Sequence, residues 1–350
     1  MRPPHADPSS AKINSRPGPA PKRRRNVNIR EVILKKAIFA GAIAALLSST
    51  AAFAQMDELR IMAPAAPGGG WDQTARTIQS VIQAEGLASN IQVENVAGAG
   101  GTIGLQQFVN QSTGDPSATI VGGYVMVGAI IANNAPVTLA DVTPIARLTG
   151  EYVVVVAPTD SEIENAEDLA EAMRADPGSV TWGGGSAGGV DHIAAGIFAQ
   201  TADVDPRGLN YIPFSGGGEA LAAILGGQVT VGISGYSEFA AQIEAGELKV
   251  IGITAPEPQD YVDAPTFVDQ GFDVDVQNWR MIAAAPDITE EERAQLTETI
   301  RTMSESEAWA NELETRGWVN TYLDGEEFQT YLQEEIEATT AILSELGISQ

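Results

Sequence analysis

The stretch Leu59-Arg60-Ile61-Met62-Ala63-Pro64-Ala65-Ala66-Pro67-Gly68-Gly69-Gly70-Trp71-Asp72 passes through three kinds of chain in quick succession. Leu59–Ala63 is a short apolar run that reads as a strand. Two prolines and three glycines then break it. From Asp72 to Glu85, apolar residues at Ala75, Ile78, Val81 and Ile82 keep the spacing of one helix face. The same strand, turn and helix recur in Ile91–Val96 with Thr102–Val109, and in Ala118–Val121 with the apolar segment Val125–Ile131. Such alternation predicts an α/β fold, a mainly parallel sheet with helices on both faces.

Glu151–Ala157 (EYVVVVA) is a β-branched run suited to a strand buried on both sides, and it reads as a crossover into a second lobe. That lobe repeats the rhythm: helices at Ala166–Ala175, Asp191–Ala199, Glu219–Leu225 and Glu238–Glu244, strands at Val180–Trp182, Asn210–Pro213, Val229–Ile233 and Leu248–Ile253. Trp279–Ala284 is the expected return strand. Helices at Thr289–Met303, Ser306–Thr315 and Gly325–Leu346 follow, with caps expected at Thr289 and Asp324. The reading is two lobes, 55–156 with 279–350 and 157–278, joined by two crossing strands that serve as a hinge.

Four glycine clusters each lie between a predicted strand and a predicted helix: Gly68–Gly70, Gly98–Gly101, Gly183–Gly189 and Gly216–Gly218. In an open α/β sheet these turns line the crevice at the carboxyl ends of the strands. There the backbone approaches a ligand closely, and helix-start N–H groups favour an anion. Two enzymatic alternatives fail on their missing parts. Gly183–Gly188 fits G-x-G-x-x-G, but Asp203 and Asp205 fall before the next strand instead of at its end. Gly184–Gly188 fits G-x-S-x-G, but the single histidine beyond residue 54 is His192, too close to Ser186 to follow a triad acid. His192 is read as a structural first-turn residue, and Asp72 as a helix N-terminal cap or dipole partner. No cofactor is expected, and no His/Asp/Glu spacing suggests a metal.

The chain has no cysteine, and its formal charge of −26 excludes a basic nucleic-acid-binding face. The charge is uneven: residues 1–54 hold ten Lys and Arg against two acids, which leaves −34 on residues 55–350. Lys35-Lys36, the apolar Ala37–Leu47 and Ala52-Phe53-Ala54 follow the order of a secretory signal peptide, cleaved after Ala54. As a retained anchor the segment is short and rich in Ala, Ser and Thr. Its long basic leader also allows a later start codon. The mature protein is expected in the periplasm, as a monomer.

The segments Ile61–Asp72, Asn95–Gly101, Gly185–Gly188 with His192, Pro213–Ala220 and Leu225–Val229 together resemble the TctC, or Bug, family: extracytoplasmic receptors of tripartite tricarboxylate transporters. The resemblance implies a two-lobed periplasmic binding protein of the Venus-flytrap type, not an enzyme, that carries a small organic anion to a permease of one large and one small membrane subunit. It implies that the turns with Ala65, Ala66, Gly68, Gly69 and with Gly98, Ala99, Gly100, Gly101 hold one carboxylate through N–H groups and ordered water. Turns with Gly185, Ser186, Phe214, Ser215, Gly216 and Gly217 then close from the other lobe. A receptor signalling to a sensor kinase would share every one of these motifs. Tyr124 and Tyr236, at strand ends, join the candidates. Arg280 on the return strand reaches either a second ligand carboxylate or a hinge partner. Gly100→Val and Gly217→Val are expected to abolish binding with melting near wild type.

Overall fold

A computed structural model describes residue 18, residues 56–214 and residues 217–348. The expected signal segment, apart from Gly18, and Ser215 and Gly216 of the fourth glycine turn lie outside the described residues. None of the described helices is long and apolar enough to cross a membrane.

The elements run β1 (Met56–Ala63), α1 (Gly70–Ala84), β2 (Ala88–Asn95), α2 (Thr102–Ser112), β3 (Ala118–Gly123), α3 (Tyr124–Ala132), β4 (Thr143–Pro158), α4 (Ala166–Ala175), β5 (Thr181–Gly184), α5 (Val190–Thr201), β6 (Asn210–Pro213), α6 (Gly217–Leu225), β7 (Val231–Gly235), α7 (Tyr236–Glu244), β8 (Leu248–Ile253), β9 (Gln277–Ala284), α8 (Glu290–Ser304), α9 (Glu307–Arg316), β10 (Val319–Asp324) and α10 (Gly325–Glu345). The strands form a ten-stranded sheet in the order β2-β1-β3-β9-β4-β7-β5-β6, with β10 and β8 also paired to β4. Each half has the expected parallel strands, β2-β1-β3 in one and β6-β5-β7 in the other. The central strands join them antiparallel.

β4 is the element that makes one sheet of two halves. Its residues 143–152 pair with β9, while 153–156 pair with β7 and 154–158 with β8. The valine run alternates as a pleated strand must. Val153, Val155 and Ala157 enter the large core. Val154 and Val156 enter a smaller one with Ile224, Phe239 and Ile253. Helices therefore cover both faces, which is why the run reads as continuously apolar.

Helix α1 buries Trp71, Ala75, Ile78, Val81 and Ile82, the stripe its spacing predicts. Thr289 forms the expected capping box: its hydroxyl accepts from Glu292 N–H, and Glu292 accepts from Thr289 N–H at 2.8 Å. Asp324 differs from expectation and makes no cap bond. Its carboxylate instead accepts from the Arg301 guanidinium at 2.7 Å and from Tyr322 Oη at 2.6 Å, since a cation and a phenol outbid one exposed amide. Two strand segments are new: residues 143–150 of β4, and all of β10.

Candidate functional site

The glycine turns of both sheet halves converge on one cavity of about 70 Å³, room on the order of five water molecules. Its wall takes Pro64, Ala65, Gly69, Gly70, Gly98, Gly100 and Gly101 from one half, and Gly185, Ser186, Asp191, Gly217, Ser234 and Glu238 from the other. Glu151 of β4 with Asn278 and Arg280 of β9 close the remaining side.

The first two turns are braced against each other by side chains. Asp72 accepts from Gly68 N–H at 2.8 Å, and Asn95 donates both to Asp72 at 3.0 Å and to the carbonyl of Ala65 at 3.1 Å. Of the two roles expected of Asp72, the geometry gives the dipole partner in the first turn of α1; the cap position is Gly69, with no side-chain cap bond. The second turn requires glycine: Gly98, Gly100 and Gly101 have φ of 132°, 61° and 87°, and Ala99 shares the left-handed region at 48°. At Gly101 a Cβ would stand 2.6 Å from the Trp71 ring, so the tight turn lets α1 and α2 approach.

Of the sixteen sequence candidates, the structure brings Ala65, Gly69, Gly98, Gly100, Gly101, Gly185, Ser186 and Gly217 to the cavity wall. Ala66, Gly68 and Ala99 belong to the same turns but do not line it. Phe214 packs against the smaller core. Tyr124 is buried 6.5 Å from Trp279, where the two rings line a separate cavity. Tyr236 packs on Tyr261, with ring centres 5.2 Å apart. Both tyrosines open a helix directly after a strand, and the first side chain of such a helix turns into the core here. His192 is structural: its Nδ1 accepts from Gly188 N–H at 3.2 Å and its ring stacks on Tyr211 at 4.2 Å.

Sequence reasoning singled out Arg280 but missed the three acids around it, Glu151, Asp191 and Glu238. Arg280, 1% exposed, donates to Glu151 through Nη2 and lies 4.7 Å over the Trp318 ring. Glu151 also accepts from Trp318 Nε1 at 3.0 Å and Ser237 Oγ at 3.1 Å. Of the two partners expected of Arg280, the one within the chain is present, as Glu151 of the adjacent strand. Nη1 of Arg280, and Oδ1 of Asn278, have no partner among the described residues. Asp191 accepts from Gly185 N–H at 2.7 Å, and Glu238 accepts from the Ser234 hydroxyl and from Gly70 N–H. One turn amide, Gly185, and one helix-start amide, Gly70, are thus engaged by the chain's own carboxyls, because a buried N–H demands a partner. Burial pushes the Asp191 carboxyl up to about 8, with the Gly185 amide opposing and Glu238 and Glu151 adding to the rise. Burial and then Glu151 push Glu238 up as well. A usable signal was present: Gly70-x-Asp72 and Gly189-x-Asp191 place an acid in the first turn after a glycine, and Glu238 follows Gly235 by three residues. Among the described residues no group of three His, Asp or Glu side chains is placed to hold a metal ion.

A curled α/β sheet with a cavity where the glycine turns of its two halves meet is the architecture of a periplasmic binding protein. The chain belongs to the tripartite tricarboxylate transporter receptor family, TctC, whose profile matches residues 74–348. It is similar to the protein BugT of Bordetella pertussis, 23% identical over 295 residues that cover 83% of this chain and 89% of that one. Among solved structures it resembles the periplasmic binding protein BugD, with a TM-score of 0.76 and 19% identity over 84% of this chain and 98% of the other. It also resembles MatC of Rhodopseudomonas palustris, solved with bound malate, with a TM-score of 0.69 and 24% identity over 82% and 99%. Members of this family are periplasmic receptors and not enzymes.

Proposed function

We propose that this chain is an exported receptor that captures a small di- or tricarboxylate and delivers it to a permease of one large and one small membrane subunit. The observation that carries the reading is the convergence of four glycine turns and one buried guanidinium on one cavity. Residues 1–54 act as the signal peptide, and the mature protein works in the periplasm as a monomer. Residues 55–156 with 279–350 form one lobe and 157–278 the other, with β4 and β9 as the hinge. Ligand is held by the backbone of the turns at 65–69 and 98–101 and is covered by those at 185–186 and 214–217. The malate seen in MatC supports the ligand class.

A thermal-shift panel of dicarboxylates and tricarboxylates tests this, together with small-angle scattering. A true ligand at about 100 times its Kd stabilises the fold by about 2.7 kcal/mol and makes the molecule more compact. A panel in which no carboxylate raises the melting temperature rejects the reading.

A further inference from the structure

The cavity holds more acid than an anion receptor has use for. Glu151 from β4, Asp191 from α5 and Glu238 from α7 all face it, and Arg280 from β9 is the one cation on its wall among the described residues. Glu151 is compensated by Arg280, with Trp318 and Ser237 donating to its other oxygen. Asp191 and Glu238 have only neutral hydrogen-bond partners, the Gly185 amide for one and the Ser234 hydroxyl and Gly70 amide for the other. Each feels the other acids and also Arg280, which stands beside Glu238 across Gly70 but makes no ion pair with either acid.

Two further polar atoms, on residues that line the same space, are buried and unpartnered. Arg280 Nη1 and Asn278 Oδ1 lack hydrogen bonds among the described residues, although the two residues are 1% and 9% exposed and line the cavity. A buried guanidinium N–H without an acceptor points to an anionic occupant. That occupant would meet two surplus carboxylates at close range. One of them, Glu238, already engages the amide that opens α1, where a ligand carboxylate would bind.

The conflict has a simple resolution, which rests on the carboxylate reading above. We propose that Asp191 and Glu238 contact the bound anion as neutral carboxyl groups donating hydrogen bonds to it, so that the receptor takes up protons from solvent as it takes up its ligand. Each proton adds to a carboxylate oxygen and is shared with a ligand oxygen. Nothing else facing these groups carries charge to spare. Tyr211 donates to the Gly185 carbonyl at 2.8 Å and is held protonated by burial and by Asp191. The buried His192 ring is neutral above about 4. Gly217 and Gly69 bring only backbone to the Glu238 carboxyl. Burial already raises both acids in the empty receptor, and an added anion shifts them further in the same direction.

The sign follows from linkage. A ligand that raises a carboxyl pKa binds best where that group is protonated, and its affinity falls as pH rises through the raised range. The test is calorimetry of the signal-free chain with malate, from about pH 6 to about pH 9, in buffers of different ionisation enthalpy. Malate is doubly ionised throughout that range, so the slope belongs to the protein. The expected result is net proton uptake, with Kd weakening by about tenfold per pH unit for each proton in the upper part of the range. Asp191→Asn and Glu238→Gln should each reduce that slope. Malate binding with no proton uptake and a flat or inverted slope overturns the proposal and leaves the carboxylate reading standing. A full carboxylate panel that fails to bind at any pH rejects both. The wild-type calorimetry decides the matter even if a variant fails to fold.

Discussion

Arg280 of β9 donates to Glu151 of β4 at the middle of the sheet, with each side chain 2% exposed. Removing one member of a buried pair leaves the other charge without compensation. Arg280→Met is expected to cost about 3–5 kcal/mol, and the double variant Glu151→Gln with Arg280→Met to recover most of that. Urea midpoints of the three proteins measure it. A double variant no more stable than Arg280→Met would show that the pair is not the source of the loss.

The glycines divide by what surrounds them, which corrects an expectation from sequence. Gly100 has φ of 61°, and the Ala129 methyl and Ser186 crowd the place of its missing side chain. Gly217 is backed by the Glu238 carboxyl. Valine at either position should therefore lower the melting temperature as well as abolish binding. Even Gly100→Ala is expected to cost about 1–3 kcal/mol. Gly218, exposed on α6 with nothing within 4 Å, is the control: Gly218→Ala should be neutral or gain up to about 1 kcal/mol. Thermal denaturation of the two alanine variants gives the contrast, and equal losses in both would refute it.

Much of the fold was legible because the signals were local. The helix Ala166–Ala175 and the strands Asn210–Pro213 and Leu248–Ile253 have the bounds their periodicity predicts. The first eight residues of β4 were not legible: TPIARLTG alternates poorly, and tertiary pairing with β9 and β10 makes it a strand. β10 depends on the same pairing. At the site, turns could be read because glycine has few other uses. Glu151 could not, since it is one of 46 acids and burial alone sets it apart; Asp191 and Glu238 carried only the weak signal of an acid placed shortly after a glycine.

Two buried groups give stability opposite pH dependences. Burial holds His192 down at about 4, against about 6.5 when unfolded. Its contribution is full above about 6.5 and is lost as pH falls through about 4. Asp191 is raised to about 8, so its contribution is full below its unfolded value of 3.8 and is lost as pH rises through about 8. Between about 6.5 and about 8 only Asp191 titrates of the two. Asp191→Asn should therefore gain on wild type as pH climbs through that window, read as the difference between their urea midpoints. A difference independent of pH would contradict the assignment.

β4 has a consequence for folding as well as for capture. Either half of the sheet, if it melted alone, would strip the other of the strand that both use. Beyond α10, Leu346 rests against Gly196 of α5 and ties the far end of the chain to the second half. The protein should therefore denature as one cooperative unit, with calorimetric and van't Hoff enthalpies in agreement. Under the proposed function a ligand meets two halves, whereas heat and denaturant meet one continuous sheet.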